Sequence, residues 1–424
     1  MLRHLIAVFS FAALAAAQTP GAAGDWQVTF KQLSGERYFP LHLEQSGDKV
    51  TGMLAGGIKM EGTFRNGTLE MIMHEEGRKP GRMTGKVQGN DITGSGEDDD
   101  GPIAFTAHRP TAATGTPKTH QFTPTQFHNY FSSKIAPALH LMPGDTVDTR
   151  SVDAGGTDEN GKRRALGGNP LTGPFYVEGA FPGDTLVVKL NRVRLNRDSA
   201  ISSGQIVPNA LAPGYNRNAK YDDKFDSDWK IDRAAGVASL AKPTERLKNF
   251  TVPLKPMLGC IGVAPPQEQS YRSGFLGAYG GNMDYNQFGE GVTLYLPVFH
   301  PGALLFLGDA HAAQGDGELT GNALETSMEF SFTVELIKGK NIPGPRAENA
   351  QYRMASGIAN SLPEALQQAT TSLARWLEDD YKLTANEAAV VLGSSIKYDI
   401  AEVVDPLVHI VAKIDKSALA RIQP

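Results

Sequence analysis

The chain has 424 residues, 40% of them hydrophobic and 21% charged, and carries a net charge of −5. That length and apolar content supply one large core or several, and the acidic balance excludes a basic face for nucleic acid. The single cysteine, Cys260, excludes an internal disulfide, so stability must come from packing, aided where a site exists by bound metal.

Residues 1–17 place Arg3 and His4 before an apolar run that ends in three alanines ahead of Gln18. This is the layout of a cleaved secretory signal, and the run is too short to span a bilayer. No later stretch is long and apolar enough to do so, and the mature protein is expected to be secreted or periplasmic with no membrane association. Residues 26–109 then break into short strand-like segments, with turns at Ser46-Gly47-Asp48, Asn66-Gly67 and Gly89-Asn90-Asp91. That rhythm predicts a small antiparallel β-meander, closed or half-closed as a barrel, within a domain at 18–110. The acidic run at 97–101 lacks the spacing of a calcium-binding hand loop and reads as a solvated hairpin tip. The small, polar residues 111–118 read as a linker to a main domain at 119–424.

In that domain a Pro-Gly turn launching an apolar strand recurs at Met142, Phe181 and His300, which predicts duplicated, sandwich-like β layers. The first and third of these strands end on segments bearing Asp153 and Asp309. Asn169 and Glu178 stand between the first two copies, each either facing a pocket or sitting in an ordinary turn or solvent-facing strand position. Residues 189–229 are polar and rich in Asn, Gly and Asp, and predict a large surface excursion. Cys260 lies in an apolar run and reads as a small buried thiol.

The segment at 280–329 carries the densest chemistry. In GDAHAAQGDGE at 308–318, Asp309, Asp316 and Glu318 surround His311, and Gly308, Gly315 and Gly317 let the backbone bend. Asp284 follows another glycine pair. Hard acidic oxygens with one imidazole suit a divalent cation or carboxylates poised for proton transfer; an ordinary polar turn has the same composition.

Residues 363–382 show helical spacing, Thr384 and Glu387 form a capping-box pattern opening a second helix, and residues 405–414 read as a strand in which His409 is structural. Residues 156–162 match part of a phosphate-binding loop, but Arg163 stands where its hydroxyl belongs, and 394–397 match S-x-x-K without companion motifs; both read as local structure.

The segments PALHLMPGDTV, NPLTGPFYVEGAFPGDTLVV, GCIGVAPP, GGNMD and PGALLFLGDAHAAQGDGELTGNALE, in that order over about 121–414, resemble the acetamidase/formamidase family. The resemblance implies a mainly β fold with a few peripheral helices and hydrolysis of a small carboxamide to carboxylate and ammonia. A lactam or other amide is the alternative substrate, and a secreted calcium-stabilised binding protein the alternative function. It also implies a divalent cation, zinc or calcium, near the acidic loop. On this chain the implied metal positions are Asp153, Asp284, Asp309, His311 and Asp316, and the implied catalytic positions are Glu318, Glu325, Asn169 and Glu178, with Glu318 or Glu325 as base. No serine or cysteine nucleophile is recognisable, which favours direct attack by water. The N-terminal domain and export signal depart from the family's usual form, so the amide need not be acetamide or formamide, and a homo-oligomer stays open. Mass measurement of the exported protein is expected to place its N-terminus at or near Gln18; intact Met1 recovered from the cytoplasm would overturn the export reading.

Overall fold

The computed structural model describes residues 21–111, 113 and 115–423; the expected export signal at 1–17 lies outside them. One compact unit ends at Pro110 and a second begins at Thr111, with the short segment Gly35–Tyr38 falling to the second.

The first unit is a closed barrel of eight strands in sequential order, from Gly24–Gln32 to Gly101–His108, which pair with each other antiparallel. Strict alternation closes it: in Gly81–Gln88, Met83 and Val87 point inward while Arg82, Lys86 and Gln88 face solvent. Asn66 and Gly67 both take positive φ, as a two-residue hairpin turn with the twist of its flanking strands requires. Closure leaves no free sheet edge, and the interior is filled by Trp26, Val28, Leu43, Val50, Met71, Phe105 and their neighbours. The acidic run forms a hairpin tip in which Asp99 accepts from Lys79 N and Asp100 from Arg78.

The second unit layers two large sheets. One has nine strands, with Thr185–Leu195 and Met328–Ile337 at its centre; the other has eleven and contains Leu305–His311 and Met257–Gly262. A single core joins them, with Leu186, Val188, Phe330 and Phe332 from the first packing with Leu258, Ile261, Leu305 and Leu307 from the second. Phe175 meets Phe332 edge to face at 5.2 Å. The three Pro-Gly turns close alike, by Asp145 N to Met142 O, Asp184 N to Phe181 O and Ala303 N to His300 O. In the third, Ala303 and Leu304 both take positive φ before the chain enters Leu305–His311, whose seven residues are all buried.

The expected excursion at 189–229 is shorter than its composition implies. Thr185–Leu195 is an eleven-residue strand in which Leu190, Val193 and Leu195 face the core, and the outward Asn191, Arg192 and Arg194 disguise that alternation. The short strand Ser199–Ile201 follows, then irregular chain with a short helix, Pro213–Asn218, before strand Asp228–Asp232.

The helices Leu362–Tyr381 and Ala385–Ser395 match the helical spacing, the second opened by the Thr384–Glu387 capping box. The first buries Ala365, Ala369, Leu373, Trp376 and Leu377 on one face, and each large apolar side chain contributes roughly 1.5–3 kcal/mol by leaving water. It lies so close to strand Tyr352–Ala359 that a Cβ at Gly357 would stand 1.8 Å from Ala365 O. Among the described residues no helix is long and apolar enough to cross a membrane.

The closed barrel has its own core, so a chain ending at Pro110 is expected to fold alone. Its one tryptophan, Trp26, is 1% exposed and should emit as a buried indole, with a cooperative red shift on urea unfolding. Solvent-exposed emission without a transition would show that the barrel cannot stand alone.

Candidate active site

Strand Leu305–His311 carries Asp309 and His311 two residues apart, on one face of the strand. Met257–Gly262 flanks it on one side, and Leu171–Val177 and Glu325–Thr326 on the other. His311 is the direct register partner of Glu325, Asp284 follows strand Gly280–Asn282, and Glu318 enters from the glycine-rich turn. All five side chains are buried. His311 Nε2 lies 3.2 Å from Glu325 Oε1, 3.5 Å from Asp309 Oδ2 and 3.9 Å from Asp284 Oδ1.

The imidazole's orientation is fixed from behind. Gln314 Nε2 donates to the carbonyls of Asp284 and Ala401, so its Oε1 accepts from His311 Nδ1 at 2.9 Å. Nδ1 therefore carries a hydrogen committed to Gln314, and Nε2 is the nitrogen that faces the carboxylates. Asn169 Nδ2 donates to Asp309 Oδ2 at 3.1 Å and to Asn282 Oδ1 at 3.0 Å. Asn282 in turn donates to Asp284 and to Asp405 Oδ2, while Cys260 Sγ donates to Asn282 Oδ1 at 2.7 Å.

Burial and repulsion from neighbouring acids hold Asp284, Glu318 and Glu325 above the usual carboxyl range. Asp284 is raised by burial, then by Glu318 and Asp309. Glu318 and Glu325 are raised chiefly by burial, against the pull of His311. Burial alone would lower His311, but Glu325 and Asp309 outweigh it and hold the imidazole well above its ordinary value. Asp284 Oδ1, Asp309 Oδ1, His311 Nε2 and Glu325 Oε2 are buried without a hydrogen-bond partner among the described residues. Such orphaned atoms are costly alone, and together they form a donor set for a cation. Asp284, Asp309 and His311 make one group of potential ligands, and His311, Glu318 and Glu325 a second, each with its atoms within 4.8 Å of one another. The residues fit a divalent metal.

Of the positions singled out from sequence, the fold brings together Asn169, Asp284, Asp309, His311, Glu318 and Glu325. The other three lie elsewhere. Asp153 accepts from Thr157 N and pairs with Arg197 at 2.8 Å. Asp316 is exposed and accepts from Asn286, because the turn that points Glu318 inward points Asp316 out. Glu178 pairs with His140 at 2.7 Å past the far end of strand Leu171–Val177. It is Leu171 that faces Gly308, so a strand of that length sets Glu178 roughly 20 Å from the acids. Sequence reasoning missed Gln314, Asn282, Glu402 and Asp405. Asn282 lies within the GGNMD motif, but the two C-terminal acids have no local signature. Glu402 is buried and pushed up to about 8 by burial and by Asp405; the half-buried Asp405 is pushed up to about 7 by burial, against the Asn282 hydrogen bond.

A layered β domain thus gathers four buried acids around one buried imidazole, a group that could hold a metal ion. The chain belongs to the Acetamidase/Formamidase family, whose model matches residues 115–272 and 277–405; the barrel lies outside that match. The formamidase of Methylophilus methylotrophus is 25% identical over 267 residues, 50% of this chain and 64% of that protein. The chain thus spans just under two thirds of that relative's length. The acetamidase of Mycolicibacterium smegmatis is 44% identical over 61 residues, 14% of this chain and 15% of that one. Among solved structures, a recombinant predicted acetamidase/formamidase from Thermoanaerobacter tengcongensis superposes with a TM-score of 0.62 at 29% identity, covering 72% of this chain and 99% of that one. An acetamidase from Yersinia enterocolitica gives 0.61 at 29%, covering 74% and 96%.

Two outcomes check this geometry. A Cβ at Gly259 would stand 2.1 Å from Asp284 Oδ1 and 2.7 Å from Asp309 Oδ2. Gly259→Ala is therefore expected to cost about 1–3 kcal/mol by overpacking and to weaken divalent-metal binding at least about tenfold, since ligand and neighbouring positions govern affinity to that degree; unchanged affinity by calorimetry would show that the two acids do not share a ligand. The second concerns pH. In the metal-free protein Asp405 and Glu402 hold protons at about 7 and about 8, whereas the unfolded chain releases them near 4. The folded state binds more protons between those limits, so stability falls as pH rises through them. Chelated protein should melt lower at pH 8.5 than at pH 6, and Glu402→Gln should flatten the difference.

Proposed function

We propose that the protein hydrolyses a small linear carboxamide to its carboxylate and ammonia, using a divalent cation held by Asp284, Asp309, His311 and Glu325. The observation that carries this reading is the convergence of four buried donor atoms, without hydrogen-bond partners among the described residues, around strand Leu305–His311, inside the stretch that the family model matches. A neutral imidazole nitrogen among carboxylates favours zinc over calcium, which takes six to eight oxygen ligands. When bound, such a cation supplies positive charge that polarises the amide carbonyl and eases deprotonation of the attacking water.

The remaining work belongs to the chain. Gln314 keeps the His311 proton on Nδ1, so Nε2 stays available as a donor atom. Glu318, whose proton affinity burial raises, is the base that takes the proton from water. Ala323 N donates to both Glu318 Oε1 and Glu325 Oε1, at 3.1 and 3.0 Å, fixing base and ligand to one backbone point. Half-buried Asp405, held by Asn282, gives its own proton to the leaving nitrogen and is reprotonated as Glu318 releases the proton it took from water. Amide nitrogen must leave protonated, and a carboxyl near 7 can both give and receive at neutral pH. We further place this activity outside the cytoplasm, on the leader-like residues 1–17.

Ammonia release from formamide, acetamide and propionamide by metal-analysed protein tests the reading. Glu318→Gln should lower kcat by about a hundred- to ten-thousand-fold with metal content intact. His311→Ala should lose metal and turnover together. Wild-type protein that carries stoichiometric metal and releases no ammonia from any linear amide would overturn the assignment.

A further inference from the structure

Away from the acidic cluster, a cavity of about 500 Å³ opens between helix Leu362–Tyr381, strand Tyr352–Ala359 and the turn at 343–345. That is the size of a small-molecule site, and none of its lining residues belongs to the cluster. Its walls hold no acidic side chain. The polar groups are the carboxamides of Gln367 and Gln368, the hydroxyls of Ser356, Thr371 and Ser372, and one charge, the guanidinium of Arg375.

The positive charge here is not neutralised. Arg375 is exposed and has no carboxylate within ion-pair distance among the described residues; nearby Asp380 is committed to Lys340 at 3.0 Å and to Arg353 at 2.8 Å. A second guanidinium lies behind the wall. Arg346 is 3% exposed, rests on the Trp376 ring at 5.2 Å, and donates to Ser372 Oγ and Ser372 O at 3.2 and 3.0 Å, again with no carboxylate within ion-pair distance among the described residues. Burial lowers its proton affinity and Arg375 adds repulsion, with Asp379 and Asp380 opposing. A buried cation without a counter-ion is an expensive arrangement, and it is relieved by an anion entering the cavity from the Arg375 side.

We propose that this cavity is a binding site for a small organic carboxylate, with Arg375 as its anchoring residue. A guanidinium fork matches the two oxygens of a carboxylate in one plane. The hydroxyls and the Gln367 amide supply donors and acceptors for the rest of the molecule. Gln368 Oε1 accepts from Ile358 N at 3.3 Å, which leaves its NH2 group to donate. The volume exceeds what formate or acetate fills, so the ligand carries a longer polar skeleton. The site shares no residue with the hydrolytic centre and does not depend on the assignment of that centre.

Calorimetric titration of the full-length, metal-loaded protein with propionate, succinate and sulfate, against chloride at equal ionic strength, tests the proposal. Wild-type protein should bind succinate saturably and more tightly than propionate, with tetrahedral sulfate weaker. Arg375→Gln, an exposed helix position that leaves the fold and ammonia release unchanged, should weaken the succinate site at least tenfold. Carboxylate binding equal in the variant and the wild type would place the anion at the metal centre or on the general surface and overturn the proposal, as would the absence of saturable binding. Sulfate binding as tight as succinate would overturn the assignment to carboxylates.

Discussion

The interaction on which the site depends is the repulsion among carboxyls that the fold has removed from water. Asp284, Asp309, Glu318 and Glu325 are all under a tenth exposed, and a single imidazole faces them. Ionised together in a medium of low effective dielectric, they would repel one another strongly. The cluster therefore requires either retained protons or a multivalent cation. A deeply buried set of acids with partnerless oxygens is not a structural motif that packing alone would favour, and this makes the site functional in character before any relative is consulted.

Holding the acids in place strains the backbone. Asn169, Asp284, Asp309 and Glu318 all take positive φ, a region that side chains with a Cβ seldom adopt. Four such residues converging on one point is the pattern expected where surrounding structure over-determines a reactive geometry. The support is visible: Asp309 lies within a strand paired on both sides, and Gly259 leaves the hollow into which Asp284 and Asp309 lean. The flanking sheets and their shared core are what tolerate this strain, which is why a large β scaffold surrounds so small a centre.

The layered β fold, the barrel and both long helices were legible because each rests on a local pattern: two-residue alternation, Asn-Gly turns, a capping box. The acidic block was legible because Asp309, His311 and Glu318 fall within one stretch of ten residues. What could not be read was convergence from a distance. Asp405 and Glu402 reach the site only because strands Lys397–Glu402 and Val408–Asp415 lie at the edge of the nine-stranded sheet, and nothing in their local sequence separates them from solvated acids. Glu178, by contrast, looked catalytic beside Asn169, but the strand between them carries it to the opposite end of the layer. Spacing along a chain translates into proximity only once strand direction is known.

Asn282 resolves a problem that the acids alone would leave. Under the proposed reaction, Asp405 and Asp284 have different tasks: one exchanges protons, the other stays available to a cation. Asn282 donates through the same Nδ2 to a carboxyl of each, and accepts on its oxygen from Asn169 and Cys260. Being uncharged, it connects the two without adding to the negative charge, and being saturated on its oxygen, it cannot flip to present an acceptor to either acid. The thiol of Cys260, pushed well up by burial and the surrounding acids, stays protonated and so keeps donating. A network whose only variable members are the acids themselves confines proton movement to them, and that confinement is what the proposed double role of one buried cluster, cation seat and acid–base pair, requires.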